Sequence, residues 1–341
     1  MNKTAIIGAG SWGTALAVTL AENCPNVLLW SRRKELCRTI NETRVNQDYL
    51  PGVTIPSNVT LTADLEEAVQ QKDMLALVVP SHTVRDMARQ IAPYTKKETI
   101  VISCAKGLEE KTYQRMTQIL QEELPHCHAA VLSGPNHAEE VGRNIPSATV
   151  VSAQKRQVAE AAQDLFMTRF LRVYTNPDVV GVELGGALKN IIALGAGIAD
   201  GLGFGDNTIA ALMTRGISEI ARLGIAMGAD PLTFAGLSGI GDLMVTCTSR
   251  HSRNRSLGVE LGKGKKLSEV LAGMHMVAEG VRTTRTAWEL AQQYGVEMPI
   301  TNQAYNVLFE EKDPRAAVVD LMRRGRTHET EDIVSDKYET W

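Results

Sequence analysis

The sequence has no long hydrophobic run and no strong excess of either charge. Of its 341 residues, 36 are Lys or Arg and 39 are Asp or Glu, so the formal net charge is −3. No apolar run reaches the roughly 20 residues of a membrane-spanning helix. A chain that is acidic overall also lacks the basic footprint of proteins that bind nucleic acid or anionic membrane surfaces. We therefore expect no nucleic-acid partner and no stable membrane insertion.

The sequence also lacks the cysteine and histidine patterns that mark disulfides or metal sites. Its cysteines are odd in number, widely spaced and free of any C-x-x-C pair: Cys24, Cys37, Cys104, Cys127 and Cys247. That distribution is typical of reduced thiols in a cytoplasmic protein, and no metal site is expected. The N-terminus shows no signal-peptide pattern, because glycine follows the first short apolar run. We expect a cytoplasmic location.

What the sequence does contain changes in character near residue 178. The first part alternates short apolar runs with amphipathic helical stretches, the pattern of a doubly wound parallel sheet. Its predicted strands are Lys3–Ile7, Val27–Trp30, Met74–Val79, Thr99–Cys104, Ala129–Leu132, Ala148–Ser152 and Phe170–Tyr174. Long helical patterns dominate after the turn signal Asn176-Pro177-Asp178. The predicted fold is α/β plus all-α, with a Rossmann domain at 1–178, a helical C-terminal domain at 179–326 and a polar tail at 327–341.

Three glycines follow the first predicted strand at the spacing G-x-G-x-x-G. Gly8, Gly10 and Gly13 lie between an apolar strand and a helical pattern, which is the context that a dinucleotide-binding loop requires. Gly8 permits a tight turn, Gly10 lets the backbone approach a pyrophosphate, and Gly13 lets the helix pack closely on the strand. The free N–H groups at the helix start attract phosphate. A glycine turn without a ligand is the alternative.

The end of the second predicted strand indicates which dinucleotide binds. NAD-preferring sites carry an acidic residue there for the ribose hydroxyl. This chain has Arg32 and Arg33 instead, with no acid before Glu35. Because an arginine pair attracts a 2′-phosphate, we predict that NADP(H) is preferred and that NAD(H) is possible. A solvated strand end and a dual-cofactor enzyme fit the same residues.

Two lysines, Lys189 and Lys106, are candidate active-site residues. Lys189 shares one face of a predicted helix with glycines and apolar residues. Burial on that face would lower its pKa towards neutrality, as suits a general acid or base. The alternative is a lysine whose stem lies on the core while its ammonium group reaches water. Lys106 follows a predicted strand at the edge where α/β sheets bind ligands, although a loop lysine fits that position equally.

Two polar segments complete the candidate site. In LSGPNHAEEV, the backbone at Gly134 and the side chain of Asn136 follow another strand end. In SGIGDLMVTCTSRHSRNRSLG, Asp242 lies among glycine and apolar residues, where a carboxylate needs a partner. Basic, hydroxyl and amide side chains then gather at a helix start and suit a phosphate or carboxylate: Arg250, Ser252, Arg253, Asn254 and Arg255. A solvated basic loop is the alternative.

These segments together resemble the bacterial NAD(P)-dependent sn-glycerol-3-phosphate dehydrogenases. The resemblance rests on GAGSWGTALA, WSRR, VISCAKGLE, LSGPNHAEEV, ELGGALKNIIALGAGIADGLGFGDN, GIGDLMVTCTSRHSRNRSLG and MVAEGVRTT. It implies the reversible reduction of dihydroxyacetone phosphate to sn-glycerol 3-phosphate, which supplies glycerophospholipid synthesis. It also implies an active site between the two domains and a homodimer, which the small-residue helix face around Lys189 favours.

The resemblance implies three overlapping sets of functional residues. Besides the three glycines, the expected cofactor contacts are Ser11, Trp12, Arg32, Arg33, Lys106, Ala138, Arg253, Val277 and Glu279. The expected substrate contacts are Lys106, Gly134, Asn136, Lys189, Asp242, Ser252, Arg253 and Asn254. The expected catalytic residues are Lys189, Lys106 and Asp242. Position 136 departs from the family pattern, in which Ser or Thr is often found.

The residues and the resemblance lead to one mechanistic hypothesis. NADPH would deliver hydride to the C2 carbonyl of the substrate, and Lys189 would protonate the developing alkoxide. Arg253 and Asn254 would hold the phosphate and so orient the reacting carbon. Two alternatives remain open at this point: a related two-domain dehydrogenase that acts on a β-hydroxyacid, and a non-catalytic NADP(H) sensor.

Overall fold

The first half of the molecule alternates strands and helices. A computed structural model describes residues 3–273, 279–326 and 329. The elements of this half are β1 (Thr4–Ile7), α1 (Ser11–Leu20), β2 (Val27–Trp30), α2 (Lys34–Thr43), β3 (Val45–Asn46), β4 (Leu50–Thr54), β5 (Val59–Thr62), α3 (Leu65–Val69), β6 (Met74–Leu77), α4 (Val84–Ile91), β7 (Ile100–Ser103), α5 (Met116–Glu123), β8 (His128–Ser133), α6 (Ala138–Val141), β9 (Ser147–Ala153), α7 (Arg156–Phe166) and β10 (Leu171–Asn176). All the predicted strands are present within a few residues of their expected bounds.

The described residues of the second half are helical. Its helices are α8 (Val179–Gly201), α9 (Asp206–Ala226), α10 (Asp242–Thr248), α11 (Arg253–Gly262), α12 (Leu267–Ala272), α13 (Glu279–Tyr294), α14 (Pro299–Phe309) and α15 (Pro314–Met322). A short 3₁₀ helix at Pro231–Ala235 and a π-helical turn at Leu237–Gly241 precede α10. The α/β plus all-α fold class is therefore confirmed. The predicted domain division at residue 178 falls in the turn between β10 and α8, and it stays a prediction.

The main sheet has eight strands in the order β10-β9-β8-β7-β6-β1-β2-β5. Strands β5 to β8 run parallel with β1 and β2, but β9 pairs antiparallel with β8. The expectation of a wholly parallel sheet is therefore wrong at this edge. The connection from β8 to β9 contains the four-residue helix α6, which is about 6 Å long, whereas a parallel crossover usually contains a full α-helix.

Burial explains why the strands are so apolar in the sequence. Every residue of β1 and β6 is buried. Ile6 lies in the core on one face of the sheet, whereas Ala5 and Ile7 lie in the core on the other. Helices cover both faces, so neither face needs polar side chains. The carboxyl ends of the central parallel strands consequently meet at one edge, where the loops are free to carry function.

Helix α8 forms the centre of the second half. It has 23 residues, of which most are buried. By length and mean hydropathy it is the one helix among the described residues that could cross a membrane, contrary to the expectation from the sequence. Since 83% of its apolar stretch is buried inside the structure, this helix has the packing of a core helix.

Helices α8 and α11 pack with their backbones in direct contact. A side chain at Gly197 of α8 would place its Cβ 2.0 Å from the carbonyl oxygen of Arg255. A side chain at Gly258 of α11 would place its Cβ 2.1 Å from the carbonyl oxygen of Leu194. Both approaches require glycine. The small-residue face of α8 is thus used within this chain.

Candidate functional site

The glycine loop joins β1 to α1, and its glycines have different neighbours. Gly8 has a φ of +122°, and a Cβ there would lie 2.2 Å from the carbonyl oxygen of Val78. A Cβ at Gly13 would lie 1.8 Å from the carbonyl oxygen of Gly8. Gly10 has an ordinary φ of −76°, and no described atom lies within 4 Å of a Cβ at this position. Nothing in the described protein requires glycine at position 10, whereas a closely approaching pyrophosphate does.

The first turn of α1 is open to a ligand. Its N-cap Gly10 offers no side-chain hydrogen bond, so the first N–H groups of the helix are available to phosphate oxygens. Ser11 donates its hydroxyl to the carbonyl oxygen of Tyr49 at 2.6 Å, and Trp12 packs against the core. The predicted pyrophosphate cradle therefore fits the residues present.

Asn46 supports this loop, although the sequence pattern does not identify it as a site residue. Its Nδ2 donates to the carbonyl oxygen of Ala9 at 3.0 Å and to the hydroxyl of Thr14 at 2.8 Å. The side chain is buried, and it ties β3 to both ends of the glycine turn. Nothing in the polar stretch around Asn46 distinguishes it from a surface asparagine, because its partners lie more than 30 residues away in the chain.

The two arginines after β2 differ in their surroundings. Arg33 forms an ion pair with Asp48 at 2.9 Å, and about half of each side chain is exposed. Arg32 is exposed, and among the described residues it has no ion pair. A guanidinium without a carboxylate partner is the better partner for a phosphate dianion. The guanidinium of Arg32 therefore has no ion-pair partner among the described residues, whereas that of Arg33 is partly neutralised by Asp48.

A second set of predicted residues forms one buried charge cluster. Lys106 follows β7, Lys189 lies in the middle of α8, and Asp242 is the first residue of α10. The Asp242 carboxylate accepts from the Lys106 ammonium at 2.6 Å through Oδ2 and from the Lys189 ammonium through Oδ1. Asp242 is 1% exposed and Lys189 5%. The partner that Asp242 was expected to need is a pair of ammonium groups.

The two lysines differ in how their N–H groups are used. The Lys106 ammonium donates to the Gly134 carbonyl at 2.9 Å, to Asn136 Oδ1 at 3.0 Å and to Asp242. An ammonium has three donors, so all those of Lys106 are engaged. The Lys189 ammonium donates to Asp242 and, at 2.6 Å, to the Thr246 hydroxyl. Among the described residues no third acceptor is present, so one N–H of Lys189 remains for a ligand.

The charges of this cluster shift the pKa values of its members. Burial lowers the pKa of Lys189 to about 8, and the nearby Lys106 charge acts in the same direction, while Asp242 opposes both. Burial alone would raise the pKa of Asp242, but the ammonium groups of Lys106 and Lys189 hold it below its usual value. Asp242 therefore stays a carboxylate, and Lys189 exchanges its proton near neutral pH, as a general acid or base must.

The local backbone brings Asp242 to the lysines. In the π-helical turn before α10, a Cβ at Gly239 would lie 2.1 Å from the carbonyl oxygen of Phe234. One turn of α8 before Lys189, a Cβ at Gly185 would lie 2.5 Å from the carbonyl oxygen of Ser238. The glycine near Lys189 thus admits another part of the backbone, as the absence of a side chain allows. This close packing directs the start of α10 at Lys189.

The predicted phosphate-binding residues lie at the start of α11. Ser252 is buried and caps the helix by accepting from the N–H of Arg255. Asn254 is buried and its Oδ1 accepts from the N–H of Gly280 at 2.9 Å. Arg253 is exposed in the first turn. Arg255 instead forms an ion pair with Asp200 at 2.9 Å, so a carboxylate partly neutralises its charge.

The remaining predicted residues lie around these two regions. Ala138 is buried at the start of α6. Glu279, at the start of α13, accepts from the N–H of Ser81 at 2.9 Å and so connects the helical half to the loop after β6. Val277 lies outside the described residues. Thr246 was missed in the sequence, although its position four residues after Asp242 places it on the same helix face.

Comparisons with known proteins give consistent matches along nearly the whole chain. Residues 3–159 match the family model described as NAD-dependent glycerol-3-phosphate dehydrogenase N-terminus, and residues 178–319 match the corresponding C-terminus. A glycerol-3-phosphate dehydrogenase (NAD(P)+) of Desulfitobacterium hafniense is 59% identical over 336 residues, which cover 98% of this chain and 94% of the relative. The Bacillus subtilis enzyme of the same name is 51% identical over 338 residues, 98% of each chain. The crystal structure of glycerol-3-phosphate dehydrogenase from Coxiella burnetii superposes with a TM-score of 0.90 at 37% identity and covers 95% of this chain and 99% of that one.

Proposed function

This chain belongs to the NAD-dependent glycerol-3-phosphate dehydrogenase family, and on that premise we propose that Lys189 transfers the proton in its reaction. The activity is the interconversion of dihydroxyacetone phosphate and sn-glycerol 3-phosphate with NAD(P)(H). The state of Lys189 carries the assignment: the residue is buried, its pKa is lowered to about 8, and one of its N–H groups has no acceptor among the described residues.

The partners of Lys189 account for its other two N–H groups. Thr246 donates its hydroxyl proton to the backbone carbonyl of Asp242 at 2.6 Å, so its oxygen is left to accept from Lys189. Asp242 holds a second N–H group. The third is left for the substrate oxygen on C2, which gains negative charge during reduction. A positioned acid of this kind contributes about 10²–10⁴-fold to the rate, and in the oxidation direction the neutral amine takes the proton back.

Lys106 has a positioning role in this proposal. Its ammonium joins Asp242 to Gly134 and Asn136, so it sets the carboxylate that holds Lys189 and keeps the neighbouring loop in place. A substrate hydroxyl or phosphate contacts Lys106 by replacing one of these acceptors. Ser252, Arg253 and Asn254 bind the phosphate through charge-assisted hydrogen bonds at the start of α11.

The cofactor site is assigned to the glycine loop and the residues around it. The open space at Gly10 and the uncapped start of α1 support pyrophosphate binding there. The other assigned contacts are Gly8, Ser11, Trp12, Gly13, Lys106, Ala138, Arg253, Val277 and Glu279. When bound, the dinucleotide supplies or accepts the hydride. Arg32 supports a preference for NADP(H), with Arg33 assisting and NAD(H) still accepted.

The wider context of the enzyme is proposed from its product. Glycerol 3-phosphate supports a role in glycerophospholipid synthesis, in a cytoplasmic enzyme with a Rossmann domain to residue 178 and a helical domain to residue 326. A homodimer is proposed from family membership alone. The small-residue face of α8 does not support it, because Gly197 and the backbone of α11 are already in contact.

The proposal is tested by initial rates in both directions as a function of pH. With dihydroxyacetone phosphate and NADPH, kcat/KM should fall as the pH rises through about 8, because reduction needs protonated Lys189. With glycerol 3-phosphate and NADP+, kcat/KM should rise through the same region. Parallel reactions with NADH and NAD+ measure the cofactor preference. Profiles that are flat near pH 8 in both directions would rule out Lys189 as the acid and base.

A further inference from the structure

An acidic residue lies beside the arginines after β2, although the sequence shows no acid directly at the end of that strand. Asp48 lies in the turn of the β3–β4 hairpin, and its Oδ2 accepts from Nη1 of Arg33 at 2.9 Å. NAD-preferring sites carry an acid at the end of the second strand. Here the hairpin brings a carboxylate to Arg33 from 15 residues further along the chain.

The turn that carries Asp48 is anchored on the glycine loop. On one side of it, the buried Asn46 donates to the carbonyl oxygen of Ala9 at 3.0 Å. On the other side, the carbonyl oxygen of Tyr49 accepts from the Ser11 hydroxyl at 2.6 Å. Because the backbone on both sides of Asp48 is held, its carboxylate loses less conformational freedom in pairing with an arginine than a mobile surface acid does.

Arg33 keeps part of its hydrogen-bonding capacity while it is paired. Its bonds to Asp48 and, at 3.5 Å, to the Tyr49 hydroxyl are both made through Nη1. A guanidinium has five N–H groups, and those on Nε and Nη2 have no acceptor among the described residues. Arg33 can therefore still bind a phosphate, but the Asp48 carboxylate offsets part of its charge and repels the phosphate dianion.

We propose that Asp48 is a specificity-determining residue, which reduces the preference for NADP(H) over NAD(H) by competing with the 2′-phosphate for Arg33. This inference rests on the proposed cofactor site. NAD(H) has a hydroxyl in place of the 2′-phosphate, so the competition does not affect its binding. About half of each paired side chain is exposed to water, and an exposed ion pair of this kind changes affinity by about 2- to 5-fold. Asp48 thus brings the affinities for the two cofactors closer together.

The experiment measures kcat/KM for NADPH and for NADH at saturating dihydroxyacetone phosphate, in Asp48→Asn, in Arg33→Ala and in the double variant. Asp48→Asn should raise the ratio of the NADPH value to the NADH value by about 2- to 5-fold. The change should come from a lower KM for NADPH, with kcat unchanged, and it should shrink at high salt because exposed charges are screened. In the Arg33→Ala background, the same substitution should leave the ratio close to that of Arg33→Ala alone.

A matched control separates the ion pair from the overall charge of the region. Glu35→Gln removes the same charge two residues from Arg33, but Glu35 pairs with Arg38 at 2.8 Å, so the ratio should stay that of the wild type. An equal rise in Glu35→Gln would overturn the inference, as would a full effect of Asp48→Asn in the Arg33→Ala background.

Two further outcomes distinguish this inference from the cofactor site on which it rests. If Arg33→Ala lowers the ratio but Asp48→Asn does not raise it, or changes kcat/KM equally for both cofactors, the role of Asp48 is refuted and the cofactor site stands. If Arg33→Ala itself leaves the ratio unchanged, the assignment of Arg33 to the 2′-phosphate is refuted together with the role of Asp48.

Discussion

Replacing Lys189 by methionine separates proton transfer from binding and from folding. Methionine has a similar length and no exchangeable proton, so the substrate oxygen loses its acid. We expect kcat to fall about 10²–10⁴-fold, which corresponds to about 3 to 5 kcal/mol of barrier. NADPH affinity should be unchanged, because Lys189 is tied to Asp242 and Thr246 on the substrate side of the site.

The same substitution should be tolerated by the fold. The drop in the pKa of Lys189 from 10.5 to about 8 corresponds to a cost of about 3 kcal/mol for holding the charged side chain in the folded state at neutral pH. Methionine has no such cost. Asp242 loses one ammonium partner but keeps Lys106 at 2.6 Å, and the two effects oppose each other. The thermal unfolding midpoint should therefore stay close to that of the wild type.

The assay is the initial rate of NADPH oxidation with saturating dihydroxyacetone phosphate, with NADPH affinity measured separately by fluorescence titration. Lys189→Arg is the matched variant, because it keeps a positive charge that cannot be lost at working pH. If charge alone stabilises the alkoxide, Lys189→Arg retains activity where Lys189→Met does not. A loss of less than tenfold in Lys189→Met, in a protein that folds normally, would refute proton transfer by this lysine.

Three further predictions concern the cofactor site and a buried carboxyl group. Arg32→Ala should weaken NADPH binding by about 10- to 100-fold and leave NADH binding unaffected. Arg33→Ala should have a smaller effect, because Arg33 is paired with Asp48. The KM values for NADPH and NADH measure both effects, and equal losses for the two cofactors would contradict the prediction. The Gly10→Ala variant should have the melting temperature of the wild type but bind NADPH more weakly. Gly13→Ala should lower the melting temperature, because its Cβ would lie 1.8 Å from a carbonyl oxygen. Normal NADPH affinity in Gly10→Ala would refute a pyrophosphate contact at Gly10. Burial raises the pKa of Glu219 from 4.5 to about 7. The contribution of Glu219 to the free energy of unfolding is therefore present below pH 4.5, and about 3 kcal/mol is lost as the pH rises through 7. Glu219→Gln should reduce this pH dependence of the melting temperature, and an unchanged dependence would show that other groups cause it.

The parts of the molecule that sequence reasoning could predict depend on local chemistry. The apolar strands and the glycine loop each follow from neighbouring residues. The helical spacing of small residues around Lys189 left open whether its ammonium group is buried or reaches water, and in the structure the residue is 5% exposed. Asp242 was expected to need a partner because its neighbours are apolar. In these cases a few consecutive residues contain the physical cause.

The parts that could not be predicted depend on residues that are distant in the chain. The neutralisation of Arg33 requires Asp48, which reaches it through the β3–β4 hairpin. Asn46 reaches Thr14 across 32 residues of sequence, and Lys106 reaches Asp242 across 136. Tertiary packing makes each of these contacts. The antiparallel pairing of β9 with β8 depends on the path of the chain between the two strands, which composition does not reveal. The hydrophobic periodicity of a single segment cannot predict contacts between residues that are distant in the chain.

The packing of α8 on α11 links the two ends of the proposed substrate site. Lys189 lies in α8, and Arg253 and Asn254 begin α11. Because Gly197 and Gly258 bring the two backbones into contact, these helices cannot slide or separate without losing close packing. The spacing between the proton donor and the phosphate-binding residues is therefore set by backbone contacts rather than by mobile side chains. A larger residue at either glycine should misplace the donor relative to the phosphate and lower kcat more than it weakens NADPH binding, because the glycine loop lies on different elements.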